Sequence, residues 1–160
     1  MTTCVFPGSF DPVTNGHFDL IQRASRLFDR VTVTVMINIR KRYVIPADKR
    51  VDMLRKLCED LPNVYIDEWD GLLADYMRKN GERIVLRGIR SGLETQDELT
   101  SASINRLLND QIETILLPAS PRYSGISSSA VKEIYLFGGD IRSFVPVQLT
   151  EEISGYLSKQ

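Results

Sequence analysis

The sequence predicts a single α/β domain in which a parallel β-sheet is covered on both faces by helices. Short runs rich in β-branched residues alternate with longer segments of helical period, and this alternation is typical of parallel sheets. A chain of 160 residues suits one domain. Hydrophobic residues make up 42% of it, an ordinary fraction for a globular core. We therefore predict that residues 1–160 form one domain.

The order of the predicted elements indicates where a ligand would bind. Strands are predicted at Thr3–Phe6, Val31–Met36, Val64–Ile66, Ile84–Leu86 and Thr114–Leu117. Helices are predicted at Gly16–Phe28, Asp48–Asp60, Leu72–Lys79 and Asp97–Asn109, and a last one begins within Ser127–Ser129. Ligands of such sheets bind outside the carboxyl ends of the strands. The loops that follow the strands are therefore the places to search.

Charge and cysteine content argue against several classes of protein. Lys plus Arg number 20 and Asp plus Glu number 21, so no overall field favours nucleic acid or an anionic membrane. The N-terminus lacks the pattern of a signal peptide, and no apolar run is long enough to span a bilayer. Cys4 and Cys58 favour free thiols in a reducing cytoplasm, although one disulfide stays open. With a single histidine, a structural zinc site is not expected.

The loop after the first strand, residues 7–17, is the first candidate site. Gly8 and Gly16 let the backbone approach a ligand, and the free N–H groups of the following helix attract anions. His17 falls in the first helical turn, where a positive charge opposes the helix dipole unless an anion is bound. A turn-rich connection with a structural histidine is the alternative interpretation.

Basic residues follow two other strands. Arg87 and Arg90 flank a glycine after the fourth strand, and Arg40–Arg42 follows the second strand. Guanidinium groups bind phosphate oxygens through planar, paired donors. Each group alone could be an ordinary solvated turn, but together they predict a polyphosphate site. The sequence contains neither a Walker A loop nor GxGxxG, which argues against γ-phosphoryl transfer and dinucleotide binding.

Three consecutive serines, Ser127–Ser129, precede the last predicted helix. One serine suffices to cap a helix, so the others are available to bind phosphate together with the backbone N–H groups. A plain cap remains the alternative.

These residues, in this order and spacing, resemble the bacterial phosphopantetheine adenylyltransferases, which belong to a nucleotidyltransferase superfamily with a (His/Thr)-x-Gly-His motif. Here the motif is Thr14–His17. The resemblance continues through Lys41, Arg87–Arg90, Asn105-Arg106, Ile126–Ser129, Val131–Glu133 and Gly138–Asp140, and so covers nearly the whole chain.

The resemblance implies a Rossmann-like domain, commonly a homohexamer, that transfers AMP from ATP to 4'-phosphopantetheine with Mg²⁺. The products are dephospho-coenzyme A and pyrophosphate. His17, Lys41 and Arg90 would act on the reacting phosphates, and Mg²⁺ would be held mainly by phosphate oxygens and water. The implied contacts with phosphopantetheine are Ser9, Lys41, Leu73 and Arg87. The implied contacts with ATP are Ser9, Phe10, His17, Gly88, Ile89, Arg90, Glu98, Tyr123, Ser124, Gly125, Ile126, Ser127, Ser128 and Ser129.

The chain departs from the family in the segment before the fourth predicted helix. Glu94–Glu98 keeps the last glutamate but lacks both aromatic residues that are common there, and Ser9 replaces a frequent threonine. Two alternatives stay open: a related enzyme that uses nicotinate mononucleotide or a cytidylyl donor, and a catalytically silent nucleotide-binding module. Thr14 and the serine run favour phosphopantetheine.

Overall fold

A computed structural model describes residues 1–159 of the chain and contains one five-stranded sheet with helices around it. The strands are β1 (Thr3–Gly8), β2 (Arg30–Ile37), β3 (Val64–Asp70), β4 (Ile84–Ile89) and β5 (Glu113–Pro118). The helices are α1 (Asn15–Leu27), α2 (Ala47–Leu57), α3 (Leu73–Asn80), α4 (Gly92–Leu108), α5 (Ser128–Leu136) and α6 (Thr150–Leu157).

All strand pairs are parallel, and the strand order is β3-β2-β1-β4-β5. The chain moves outward from β1 in one direction to β3 and then returns to the other side of β1 for β4. The order therefore reverses between β1 and β4, where a crevice opens at the carboxyl ends of the strands.

Two hydrophobic clusters lie on opposite faces of the sheet, because alternate residues of a strand point to opposite sides. Cys4 and Phe6 of β1 belong to the larger cluster, which includes residues of α1, α2, α5 and α6. Val5 belongs to the smaller cluster, with Met77 of α3. The α/β class with helices on both faces of a parallel sheet is confirmed.

The observed strands extend the predicted ones toward their carboxyl ends. Arg87 and Gly88 consequently lie inside β4 and not in the loop after it.

Helix α4 begins at Gly92, so the prediction that this helix starts at Asp97 is wrong, and residues 94–96 are helical. Ser91 explains the earlier start, because its hydroxyl accepts a hydrogen bond from the Glu94 backbone N–H at 3.5 Å and caps the helix. Helix α6 was not predicted from the sequence. It buries Ile153 and Leu157 in the larger cluster.

Both cysteines are free and buried. Burial raises the pKa of Cys4 and of Cys58 to about 12, so neither thiol is ionised near neutral pH. Within residues 1–159, none of the helices has the length and apolar character needed to cross a membrane.

Candidate active site

Two cavities lie at the carboxyl ends of β1 and β4. The larger has a volume of about 590 Å³ and the smaller a volume of about 270 Å³. They share seven lining residues: Pro7, Gly8, Ser9, Lys41, Tyr43, Arg87 and Glu98. A group bound at these shared residues would face both cavities, so the junction can bring two substrates together.

Most of the predicted site residues line these cavities. The larger cavity is lined by Ser9, Phe10, His17, Lys41, Arg87, Gly88, Arg90, Glu98, Tyr123 and Ile126–Ser129. Leu73 lines the smaller cavity. Ile89, Ser124 and Gly125 are not among the lining residues of either cavity. Ser124 is exposed, and its hydroxyl donates to the carbonyl of Pro121 at 2.9 Å. A ligand contact of these three residues stays a prediction.

His17 is held at the first turn of α1 by a reciprocal pair of hydrogen bonds with Thr14. The His17 N–H donates to Thr14 Oγ1 at 3.3 Å, and the Thr14 N–H donates to His17 Nδ1 at 3.1 Å. Because Nδ1 accepts a hydrogen bond, the proton of the neutral ring is on Nε2. The ring also meets the edge of Phe10, with the ring centres 5.1 Å apart.

Burial, together with the positive charges of Arg90 and Arg87, lowers the pKa of His17 to about 4. The imidazole is therefore neutral at pH 7, and the helix dipole does not oppose it. The expectation that His17 is a cation in need of a bound anion is therefore wrong. The two interpretations of His17 are also compatible, since the same ring caps a helix and lines the cavity.

Arg87 is fixed at the junction of the cavities by a paired interaction with Glu98. Its Nε and Nη2 donate to the two carboxylate oxygens of Glu98 at 2.8 and 2.7 Å, and its Nη1 donates to the carbonyl of Pro7 at 2.6 Å. The guanidinium thus links α4 to the end of β1. Glu98 touches Arg87 directly, a contact that the sequence did not indicate.

Arg90, three residues after Arg87, is held in the same way by a glutamate of α4 and a backbone carbonyl. It pairs with Glu94, whose carboxylate accepts from Nε at 3.1 Å and also from Nη2. Its Nη1 donates to the carbonyl of Ile126 at 2.6 Å, which ties the end of β4 to the segment before α5. Glu94 and Glu98 are four residues apart, so α4 presents both carboxylates on one face.

The basic turn after β2 is exposed, and its members differ in position. Lys41 lines both cavities and Arg42 lines the larger one, whereas Arg40 is not a lining residue of either. Two of the three basic residues therefore join Arg87 and Arg90 around the larger cavity.

The three serines before and in α5 have different roles. Ser127 caps the helix, because its hydroxyl accepts from the Ala130 N–H at 3.0 Å. The Ser128 hydroxyl donates to the carbonyl of Pro12 at 2.8 Å and so joins α5 to the first loop. Ser129 is exposed and lines the larger cavity. The capping interpretation is confirmed for Ser127 alone, and all three serines line the larger cavity at the start of α5.

Asp11 and Lys132 line the larger cavity although the sequence did not single them out as site residues. Their side chains form an ion pair at 3.3 Å. Asp11 is buried and also accepts hydrogen bonds from the backbone N–H groups of Val44 and Ile45, at 3.1 and 2.9 Å. These partners are far from Asp11 along the chain, so no local pattern could have indicated the cluster.

The sequence of the chain is similar to those of known proteins. Residues 5–134 match the cytidylyltransferase-like family. The chain is 40% identical over 158 residues to a phosphopantetheine adenylyltransferase of Clostridium perfringens, covering 99% of this chain and 96% of that one. It is 44% identical over 153 residues to the phosphopantetheine adenylyltransferase of Dictyoglomus turgidum, covering 96% of each.

A solved structure from Vibrio parahaemolyticus, provisionally named a nicotinate-nucleotide adenylyltransferase, superimposes with a TM-score of 0.64 at 18% identity. It covers 99% of this chain and 93% of the other, and at this identity it supports the fold alone. The fold, the cavity at the strand-order reversal and the two close relatives agree with one another. The chain belongs to the cytidylyltransferase-like nucleotidyltransferases and, within them, to the phosphopantetheine adenylyltransferase family.

Proposed function

We propose that the chain transfers AMP from ATP to 4'-phosphopantetheine, releasing pyrophosphate and forming dephospho-coenzyme A. The observation that carries the proposal is the junction of the two cavities, with Lys41 and Arg87 on its wall and His17 beside it in the larger cavity. ATP would occupy the larger cavity, and the acceptor would enter from the smaller one. The terminal phosphate of the acceptor would then reach the α-phosphorus at the shared residues.

The reaction is an in-line displacement that requires no general base. The second pKa of a phosphate monoester is about 6, so the acceptor oxygen is already anionic near neutral pH. This oxygen forms a bond to the α-phosphorus while the bond from that phosphorus to the bridging oxygen of pyrophosphate breaks. Catalysis then depends on alignment of the two phosphates and on stabilising the charge that builds up.

His17, Lys41 and Arg90 would supply that stabilisation. The neutral imidazole of His17 would donate its Nε2–H to an α-phosphate oxygen, and the hydrogen bond at Nδ1 keeps the proton on that side. Lys41 would contact both the attacking phosphate and the α-phosphate. Arg90 would hold the β- and γ-phosphates together with the N–H groups at the start of α5.

We propose that Mg²⁺ accompanies the nucleotide and neutralises its phosphates. Among residues 1–159, no group of three or more His, Cys, Asp or Glu side chains could hold a metal ion. Of the four carboxylates that line the larger cavity, those of Asp11, Glu94 and Glu98 pair with basic side chains, which leaves Asp97 alone. This donor set fits an ion that keeps its water and is bound through phosphate oxygens, as Mg²⁺ prefers.

The test is to incubate the protein with ATP, Mg²⁺ and one acceptor at a time and to measure pyrophosphate. We expect release with 4'-phosphopantetheine and hardly any with nicotinate mononucleotide. The reverse preference would overturn the acceptor while leaving the reaction class. No release with any acceptor would favour a silent nucleotide-binding module.

We also propose a homohexamer that works in the cytoplasm. Helix α4 has no buried residue and exposes Leu93 and Leu107, each 87% accessible, which supports its cover by other copies of the chain. The free thiols of Cys4 and Cys58 support a reducing compartment. Light scattering after size exclusion should give six times the chain mass, and Leu107→Glu should lower it.

A further inference from the structure

Lys41 depends on its backbone for its position. It is exposed, and among the described residues none forms a hydrogen bond or ion pair with its Nζ. The side chain reaches the junction of the cavities from a short turn between β2 and α2. Whatever fixes that turn therefore fixes where the ammonium group can be placed.

Tyr43 closes the turn through its hydroxyl. The Asn38 N–H donates to the Tyr43 hydroxyl at 2.8 Å, and the hydroxyl donates to the carbonyl of Met36 at 3.3 Å. Within the turn, the Lys41 N–H donates to the carbonyl of Asn38 at 2.9 Å. The Tyr43 side chain, which follows Lys41, is thus bound to the backbone of Met36 and Asn38, which precede Lys41. The hydroxyl therefore joins the two ends of the turn.

Arg50 holds Tyr43 from the other side. Its guanidinium carbon lies 4.0 Å from the centre of the Tyr43 ring, and its side chain is among the largest that are fully buried. Nε donates to the carbonyl of Ile45 at 2.9 Å, and Nη1 donates to the carbonyl of Ser9 at 2.6 Å. A single guanidinium on α2 therefore connects the turn that carries Lys41 to the loop that carries Ser9.

We propose that Tyr43 and Arg50 are positioning residues that set the place of Lys41 relative to Ser9 at the junction of the two cavities. A lysine could not replace Arg50 in this role, because its ammonium group lacks the flat face and the separated donors of a guanidinium. The turn is thereby in place before either substrate binds. The expected effect on kcat rests on the proposed function, whereas the contacts that hold the turn do not depend on it.

Tyr43→Phe is the informative variant. Arg50→Ala would leave buried carbonyls without partners and is liable to unfold the protein, whereas Phe keeps the ring under Arg50 and removes the hydroxyl alone. Because a misplacement of about 1 Å can cost about a hundredfold in rate, we expect kcat to fall about tenfold for this smaller change. The Kd for ATP should stay within about twofold, since Arg90 and the N-terminus of α5 are unchanged.

A double-mutant cycle with Lys41→Ala tests whether the effect passes through Lys41. If it does, adding Tyr43→Phe to Lys41→Ala should change kcat by less than about twofold, because the group being positioned is gone. The same tenfold loss in both backgrounds would overturn the proposal. Tyr65→Phe is the matched control, since the Tyr65 ring also lies under an arginine, Arg30 at 4.3 Å, but lines neither cavity. It should leave kcat unchanged.

An NMR measurement without substrates tests directly whether the Tyr43 hydroxyl holds the turn that carries Lys41. NMR order parameters of the backbone amides at residues 39–42 should fall in Tyr43→Phe from about 0.85 toward about 0.6, and not in Tyr65→Phe. Equal order parameters in wild type and Tyr43→Phe would overturn the positioning role. Absence of turnover in the wild type would instead overturn the proposed function, so the two failures are distinguishable.

Discussion

The Nδ1 atom of His17 accepts a hydrogen bond from the backbone N–H of Thr14 at 3.1 Å, and this contact fixes the proton of the imidazole on Nε2. The same ring thus completes the cap of α1 and presents a donor to the cavity. Substitutions of His17 can therefore distinguish the contribution of the helix cap to stability from the contribution of the Nε2–H donor to catalysis.

We expect His17→Ala to lower kcat by at least about a hundredfold, the scale for losing one donor to a developing charge. The affinity for ATP should change much less. Stability should fall by about 1 kcal/mol, because the Thr14 N–H loses its partner.

The matched variant is His17→Gln, since a glutamine at this helix position can reach back to the cap N–H with its amide oxygen, while its donor is a flexible amide N–H in place of the rigid imidazole Nε2–H. It should keep the melting temperature and still lose activity. Normal turnover in both His17→Ala and His17→Gln, measured by pyrophosphate release, would restrict His17 to a structural role.

The pKa of His17 predicts a dependence of stability on pH. Its folded-state pKa of about 4 lies below the ordinary value of 6.5, so the unfolded chain binds more protons between these two values. Stability from this group is therefore complete above pH 6.5 and is lost as the pH falls toward 4, by at most about 3 kcal/mol.

Since the chain has one histidine, a single imidazole signal should titrate in NMR. A midpoint near 6.5 in the folded protein would contradict the neutral, buried ring. Urea unfolding of His17→Gln should depend less on pH than that of the wild type over this range.

Arg90→Ala should weaken ATP binding by at least about tenfold, the scale for a hydrogen bond to a charged group, and should affect the acceptor much less. Arg90→Lys should not restore the affinity for ATP, because lysine lacks the planar, paired donors of a guanidinium. Arg78→Ala is a suitable control, since Arg78 also pairs with an acid, Asp75, and donates to a carbonyl, that of Leu108, but lines neither cavity. Equal ATP affinities by calorimetry would remove Arg90 from the nucleotide site.

Glu98→Gln and Glu94→Gln should affect the binding of different substrates, because the two carboxylates support different arginines. Loss of the carboxylate of Glu98 frees Arg87 and should raise the KM for the acceptor, by roughly tenfold for one charged contact. Loss of the carboxylate of Glu94 should act on Arg90 and raise the KM for ATP. If Glu98→Gln changed the KM for ATP alone, a direct contact with the nucleotide would explain Glu98 better than its contact with Arg87.

Ile153→Ala tests the helix that was not predicted. Ile153 is fully buried in the larger cluster, so truncation should cost about 2–5 kcal/mol in urea unfolding. The KM values should not change, because α6 contributes no lining residue to either cavity. A change in KM with normal stability would show that α6 reaches the site by another route.

The sequence by itself determined the α/β class, the five strands and most residues around the larger cavity. These follow from local patterns: strands and helices alternate in hydrophobic period, and the loops after parallel strands meet at one edge of the sheet. The recognised motif and the family membership were confirmed because they too depend on residues at short, ordered spacings.

The tertiary structure decided which charges are paired and which remain available. The contacts of Arg87 with Glu98, Asp11 with Lys132 and Arg50 with Ser9 join different elements, and no spacing in the sequence encodes them. It also decided that His17 is neutral, since burial and two arginines brought near by the fold lower its pKa. Both results arise from long-range packing, which sets the distances and the loss of solvent that control electrostatic interactions.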